Sequence, residues 1–514
     1  MEENYFDKGM AAYRAGNPAE AKIYWEKCAE EEDNACAMYN LGTLYEAGRG
    51  VERNDTEAFA WYERAAQREF PSAMYRVARC YAEGFGTEKD HEAWSNWLFR
   101  AAFKGHVKAQ YEGARYLIRC DELPEVAEQL MLDAAEQGHA RAQYEYGKIC
   151  EQKESPEKLT EAIQWYRRAA TQGHTEGQTR LANLYEYGVG VPRNDEEAVR
   201  LYEKAAAQGN CFAQWRLGVH LKEGTGTEQD LERAFELLRT AAGQEDHYAR
   251  YAQYELGYDF DTGDGVAADP AEAFRWYLRA AELGYAPAQN RASICYYHGK
   301  GVGQNRALAF EWAAKAVDQG NTSAMINLGL FHFREGKNGD HDEKALQLFR
   351  RAIELGDNAA YNALGLLYSE GRGVKKDPVE AVRLYRIGHE AGDSHATTSL
   401  GWAYFNGMGV ARDYREAFRL FESAAAHNIP EAVLGLGVCY RLGKGVDKDN
   451  PRARELFIRA AELGNLDAPH FLSANGQELR PISELDYKAA AGDMVGSILG
   501  TLAEQLLGGG GQDD

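Results

Sequence analysis

Four kinds of residue cluster in this chain have the types and spacing to do chemistry. Gly-x-Gly pairs, such as Gly48/Gly50, Gly188/Gly190 and Gly371/Gly373, have a spacing with which backbone N–H groups cradle phosphate. Asp259, Asp261 and Asp264 open like a calcium loop. Asp340-His341-Asp342-Glu343 sets an imidazole among three carboxylates, all metal donors. Eight cysteines (Cys28, Cys36, Cys80, Cys120, Cys150, Cys211, Cys295 and Cys439) could pair, bind metal or attack as thiolates.

Each cluster reads more simply as structure. A phosphate loop joins a strand to a helix, whereas these glycine pairs recur in nine of twelve units and join two helical patterns. In the aspartate cluster the third ligand position is Gly263 and the bidentate glutamate position is Pro270, so calcium has too few donors. The Asp340–Glu343 run falls where a helix needs capping. The cysteines form no Cys-x-x-Cys pair, which suits a reducing cytoplasm. His106, His139 and His174 each follow a helix-ending glycine and read as solvated caps. Neither His-Glu-x-x-His nor Gly-x-Ser-x-Gly occurs. The expectation is a protein that is not an enzyme, with no catalytic residue, metal or cofactor.

Charge narrows the partners. The 514 residues carry 58 basic and 80 acidic side chains, a net charge of −22, which opposes nucleic acid and anionic lipid and leaves a protein or peptide. The amino terminus lacks a basic and apolar leader, and no apolar run reaches the length of an integral membrane segment.

The elements that position these residues repeat. Small residues that follow an apolar one about five positions after an alanine fall at Gly42, Ala78, Gly113, Gly147, Ala182, Gly218, Gly257, Ala292, Gly329, Gly365, Gly401 and Gly437. Successive spacings are 36, 35, 34, 35, 36, 39, 35, 37, 36, 36 and 36. Each unit reads as a helix A, a Gly-x-Gly-Val turn and a helix B. Helix B opens on a capping box, as with Asn54/Glu57, Asn194/Glu197, Asp269/Glu272, Asp377/Glu380 and Asp413/Glu416. It carries an aromatic (Trp61, Trp97, Trp165, Trp276 or Trp312) expected to fill the inter-helix groove, and closes on paired alanines such as Ala65-Ala66 and Ala280-Ala281. One hairpin cannot bury its apolar face alone, so neighbours must stack. Three units lack the glycine turn, around Leu117–Pro124, Lys153–Lys158 and Glu335–His341.

The pattern Ala-x-x-x-Leu-Gly-x-x-Tyr, Gly-x-Gly-Val, Asp/Asn, aromatic and Ala-Ala-x-x-Gly resembles the Sel-one-like repeat, a relative of the tetratricopeptide repeat, across residues 35–465. The resemblance implies an all-α fold: a right-handed α-solenoid of about twelve antiparallel helix pairs, acting as a scaffold or adaptor, often in bacteria. A secreted branch pairs two cysteines within each repeat, which this chain does not. Residues 1–34 are expected to form a tetratricopeptide-like capping hairpin, 35–475 the array, and 476–514 an amphipathic helix with a flexible Gly-rich tail.

In the related tetratricopeptide fold helix A lines the concave face and contacts ligand. Carried over, the residues two before each anchor include Asn40, Arg76, Tyr111, Arg180, Arg216 and Asn290, and those three before include Tyr39, Tyr75, Trp215 and Tyr254. With Arg79, Asn183 and Trp402 just after their anchors, these are the expected partner-binding residues, since aromatics and arginines dominate hot spots. The arginines Arg76, Arg79, Arg180 and Arg216 imply a carboxylate-bearing partner. At the C-terminal end Val495, Leu499 and Leu502 form an apolar stripe beside Gly492, Gly496 and Gly500, a spacing for close helix contact with a partner or, in self-association, a second copy. The expected function is a non-catalytic cytoplasmic scaffold, with a dedicated regulatory or immunity-type subunit as the alternative.

Overall fold

The computed structural model describes residues 4–336, 339–465, 467–473 and 478–479. Among them it is all-α, an α-solenoid of 26 helices and a short 3-10 turn with no β-strand. The expected amphipathic helix within 476–514, with Gly492, Val495, Gly496, Leu499, Gly500 and Leu502, lies outside the described residues.

The chain divides into two compact units, Met1–Asp230 and Leu231–Asp514. The first holds α1 (Tyr5–Arg14), α2 (Pro18–Glu31), α3 (Ala35–Ala47), α4 (Asp55–Gln67), α5 (Pro71–Glu83), α6 (His91–Phe103), α7 (Val107–Cys120), α8 (Pro124–Glu136), α9 (Ala140–Glu151), α10 (Pro156–Thr171), α11 (Thr175–Tyr187), α12 (Asp195–Ala207) and α13 (Cys211–Glu223). The second holds α14 (Leu231–Ala242), α15 (Ala249–Thr262), α16 (Pro270–Glu282), α17 (Ala286–His298), α18 (Arg306–Asp318), α19 (Thr322–Glu335), α20 (Gly339–Glu354), α21 (Ala360–Glu370), α22 (Pro378–Glu390), α23 (Ser394–Asn406), α24 (Tyr414–Ala425), α25 (Pro430–Leu442), α26 (Asn450–Glu462) and the turn Ala468–Phe471. Odd-numbered helices are helix A and even-numbered ones helix B.

Local chemistry sets the boundaries. Gly48 ends α3 with φ 62°, a left-handed conformation that costs glycine little. Asn54 Oδ1 then accepts from Glu57 N at 3.1 Å to start α4, and Asn194, Asp269, Asp377 and Asp413 cap their helices the same way. The Asp340–Glu343 run is not a cap. It lies inside the first turn of α20, where acidic groups suit the helix dipole, and Asp342 pairs with Arg372.

Packing corrects the repeat register. A Cβ at Gly42 would fall 2.5 Å from the Tyr62 ring, and one at Gly147 would fall 2.6 Å from Tyr166, so helix B forces these positions to be small. Each lies eight residues after its capping residue, from Asn34 to Gly42 and from His139 to Gly147. The same count from His106 reaches Ala114, and from Tyr285 it reaches Ser293. The anchors Gly113 and Ala292 are therefore one residue early. Corrected, the spacings become 36, 36, 33, 35, 36, 39, 36, 36, 36, 36 and 36. Tyr111 and Asn290 move into the column three before the anchor.

The groove filler is also one residue later than expected. Tyr62, Tyr166 and Tyr277 are fully buried, whereas the tryptophan before each carries a cation from the next turn, with Arg64, Arg168 and Arg279 lying 4.3, 4.4 and 4.7 Å from the Trp61, Trp165 and Trp276 ring centroids. Trp97 and Trp312 are covered likewise by Arg100 and Lys315.

Candidate interaction surface

On the helix A face of the first unit, three of the predicted arginines pair with the preceding repeat. Arg76 of α5 donates to Glu46 of α3, whose carboxylate also accepts from the Tyr62 hydroxyl of α4. Arg180 meets Glu151, with Tyr166 donating at 2.7 Å. Arg216 meets Glu186, with Tyr202 donating at 2.7 Å. The carboxylate these arginines were expected to seek in a partner therefore belongs to the preceding repeat. Burial pushes the three tyrosines up, and the bonded carboxylate adds to this at Tyr62 and Tyr166. For Glu151 burial acts upward, but the Arg180 and Tyr166 bonds prevail and hold it low. These triads lock one repeat to the next.

A second motif repeats in successive hairpins. His106, His139 and His174 cap α7, α9 and α11, each Nδ1 accepting a backbone N–H at 3.1–3.2 Å. Each ring lies near-parallel to a tyrosine of the previous helix A: Tyr75–His106 at 4.5 Å, Tyr111–His139 at 4.6 Å and Tyr144–His174 at 5.2 Å. The rings are half-buried, not solvated. Burial lowers all three pKa values, so the neutral imidazoles hold their protons on Nε2.

Between these stacks opens a cleft of about 650 Å³, lined by Tyr75, Arg79, Lys108, Tyr111, Glu112, His139, Ala140, Arg141, His174 and Glu176. Of the expected partner-binding residues it gathers Tyr75, Arg79 and Tyr111. The others lie elsewhere. Tyr39 packs on Tyr62 and Phe70, Asn40 faces Met10 Sδ at 3.7 Å, and Asn183 accepts from Arg180. Trp215 packs edge-on to Phe212, and Tyr254 packs against Tyr277 and Tyr285.

Asn290 and Trp402 require correction. Asn290 is 7% exposed and accepts from Asn327. Trp402 is 4% exposed against Phe421 and Phe405. Both are core residues, because helices A of the second unit touch one another directly, α17 with α19, α19 with α21, α21 with α23 and α23 with α25. For α21, α23 and α25 the position two before the anchor accounts for the approach: it is Ala363, Ser399 and Gly435 there, small enough for two helices to close.

Sequence reasoning missed Lys108, His139, Arg141 and His174. The available signal was a Gly-His pair before helix A in successive repeats, at Gly105-His106, Gly138-His139 and Gly173-His174, with a tyrosine in the helix A before it. The solitary reading of each histidine as a cap hid the stack. Among the described residues, no group of three or more metal-donor side chains could hold a metal ion, and no helix is long and apolar enough to cross a membrane.

The comparisons agree with this architecture. Over 96% of this chain and 98% of its own, the protective antigen c5321 of uropathogenic Escherichia coli, described as having an SLR fold, superposes with a TM-score of 0.66 at 27% identity. A Sel1 repeat protein from Oxalobacter formigenes is 31% identical, covering 48% of this chain and 96% of its own, with a TM-score of 0.41. Chitin synthase regulatory factor 3 of Schizosaccharomyces pombe is 50% identical over 40 residues, 8% of this chain and only 4% of that protein's length. The Sel1 repeat model matches residues 37–70, 71–106, 140–174, 175–210, 211–246, 250–285, 286–321, 322–357, 358–393, 394–429 and 430–465. The array is thus a repeat scaffold of the kind that mediates protein–protein interaction, and the chain belongs to the Sel1 repeat family.

Proposed function

We propose that this chain is a non-catalytic scaffold that holds an extended segment of a partner protein on the helix A face of its first unit, anchored in the cleft between Tyr75 and His174. The observation that carries the reading is the cleft's composition. It sets half-buried aromatic rings beside exposed cations, the residue types that supply interface anchors. The repeat at its centre supports the same reading. Residues 107–139 fold as the helix pair α7–α8 yet fall between two stretches matched by the family model, and they supply Lys108, Tyr111, Glu112 and His139. A departure from the repeat rule at a place where the fold persists points to function.

Two further features fit a scaffold. The cysteines are free thiols, and burial pushes Cys28, Cys80, Cys295 and Cys439 up to about 12, far from reactive thiolates. Free thiols also suit a cytoplasmic setting. The hairpin α1–α2 packs on α3 and serves as the N-terminal cap of the array, with Trp25 seated over Gly9.

The test is photo-crosslinking from single sites on the full chain. A crosslinker at Lys108 or Glu176 is expected to capture the partner, and one at exposed Val379 on α22 is not. Capture from Val379 with none from the cleft would overturn the placement.

A further inference from the structure

Resting on that docking reading, we propose that the cleft is built for an anion: an acidic stretch of the partner, with an Asp or Glu carboxylate seated between Lys108 and Arg141. Those two cations occupy the second positions of α7 and α9, whose first turns contain no acidic residue. A helix N-terminus disfavours a cation there, and neither side chain has an ion-pair or hydrogen-bond partner among the described residues. Arg79 differs, since Glu83 already neutralises it.

The neutral groups also present donors. Tyr111 is only 7% exposed and lines the cleft, yet its buried hydroxyl has no acceptor. His139 and His174 spend Nδ1 on the backbone, which leaves an Nε2–H on each ring. The cleft's two carboxylates do not satisfy these donors. Glu112 accepts from the Tyr75 hydroxyl at 2.7 Å, and Glu176 stands 3.5 Å from His174 Nδ1, a nitrogen that accepts. In a chain of net charge −22, two unpaired cations in one cleft with a buried orphan donor make a local site for negative charge.

The experiment uses the full chain and three acetylated, amidated octapeptides that alternate tyrosine with glutamate, glutamine or lysine. Affinity is read by fluorescence anisotropy, and the binding site by hydrogen exchange at residues 107–112, 139–145 and 174–180. The glutamate peptide is expected to protect the cleft and to bind at least about tenfold more weakly to K108E/R141E, an exposed pair whose reversal leaves the melting profile in place. Its affinity also falls as salt rises. If the glutamine or lysine peptide protects the cleft equally, the anion inference is overturned while the docking reading stands. If no peptide protects it, the inference falls, and crosslinking from Lys108 separately decides whether docking falls with it.

Discussion

The helices A of the two units obey one repeat rule and end in different surroundings. In the first unit the position two before the anchor is mostly Arg or Glu (Arg76, Glu112, Glu145, Arg180, Arg216), and the face stays open and polar. In the second it begins with Glu255 and Arg291 and then becomes Asn327, Ala363, Ser399 and Gly435, and from α17 onward neighbouring helices A touch each other. Small residues in that column accompany the closed face from α21 onward, although α17, with the buried Arg291 in the same column, also touches α19. The closed face keeps polar groups inside: Asn327 bonds Asn290 at 3.0 Å, and Asn362 is fully buried with neither end of its amide bonded.

The strongest way to break this contrast is to remove one buried hub from each side. Glu186 is 7% exposed and holds both Arg216 and Tyr202. Glu186→Ala strands a guanidinium and a hydroxyl and is expected to cost about 3–5 kcal/mol in urea unfolding. Trp402→Ala leaves a cavity against Phe421 and is expected to cost a similar ~3–5 kcal/mol. Stacked repeats lose stability locally, so hydrogen exchange should place the first loss in the first unit and the second in the second. A uniform loss along the chain in both variants would refute independent locks.

The caps give opposite pH signs. Burial raises Asp393, the N-cap of α23, to about 6, above an unfolded value near 3.8. A raised carboxyl contributes stability at low pH that is lost as pH rises through about 6. Asp393→Asn keeps a capping oxygen and removes the buried charge, so it should gain on the order of 3 kcal/mol at pH 8 and less than about 1 kcal/mol at pH 4. A gain that is undiminished at pH 4 would rule out charge burial as the cause.

The histidine caps of the first unit run the other way. Their folded pKa values are lowered by burial, so their stability is present above the unfolded value near 6.5 and is lost as pH falls through the lower folded values. Asn performs the same capping at Asn34, Asn210 and Asn321. The variant H106N/H139N/H174N should fold normally at pH 7.5 and show a flatter exchange profile in the first unit on acidification. An unchanged pH profile would mean that other groups set it.

Period, turns and caps were legible in the sequence because each depends on a few neighbouring residues: Gly48 on its own φ, Asn54 on Glu57. What sequence reading missed depends on the next repeat. Gly113 looked like an anchor because it is a glycine, yet a Cβ there would meet Phe99 at 3.2 Å, a milder contact than Gly42 makes with Tyr62. Arg76 looked like a free ligand because Glu46 lies 30 residues away. Trp402 read as surface because the closure of α23 on its neighbours is set by Ala363 and Gly435, which carry no signal by themselves.

The smallest expected effect separates the surface from the locks. Arg79 sits near Arg76, but its ion pair is with Glu83 of its own helix, one turn on and partly exposed. Such pairs contribute about 0.3–0.5 kcal/mol, so Arg79→Ala should leave urea unfolding within about 0.5 kcal/mol of the parent. Any larger drop in partner affinity than in stability then reports contact with the partner. A loss of several kcal/mol of stability would instead place Arg79 among the inter-repeat locks and shrink the open surface to Lys108, Tyr111 and Arg141.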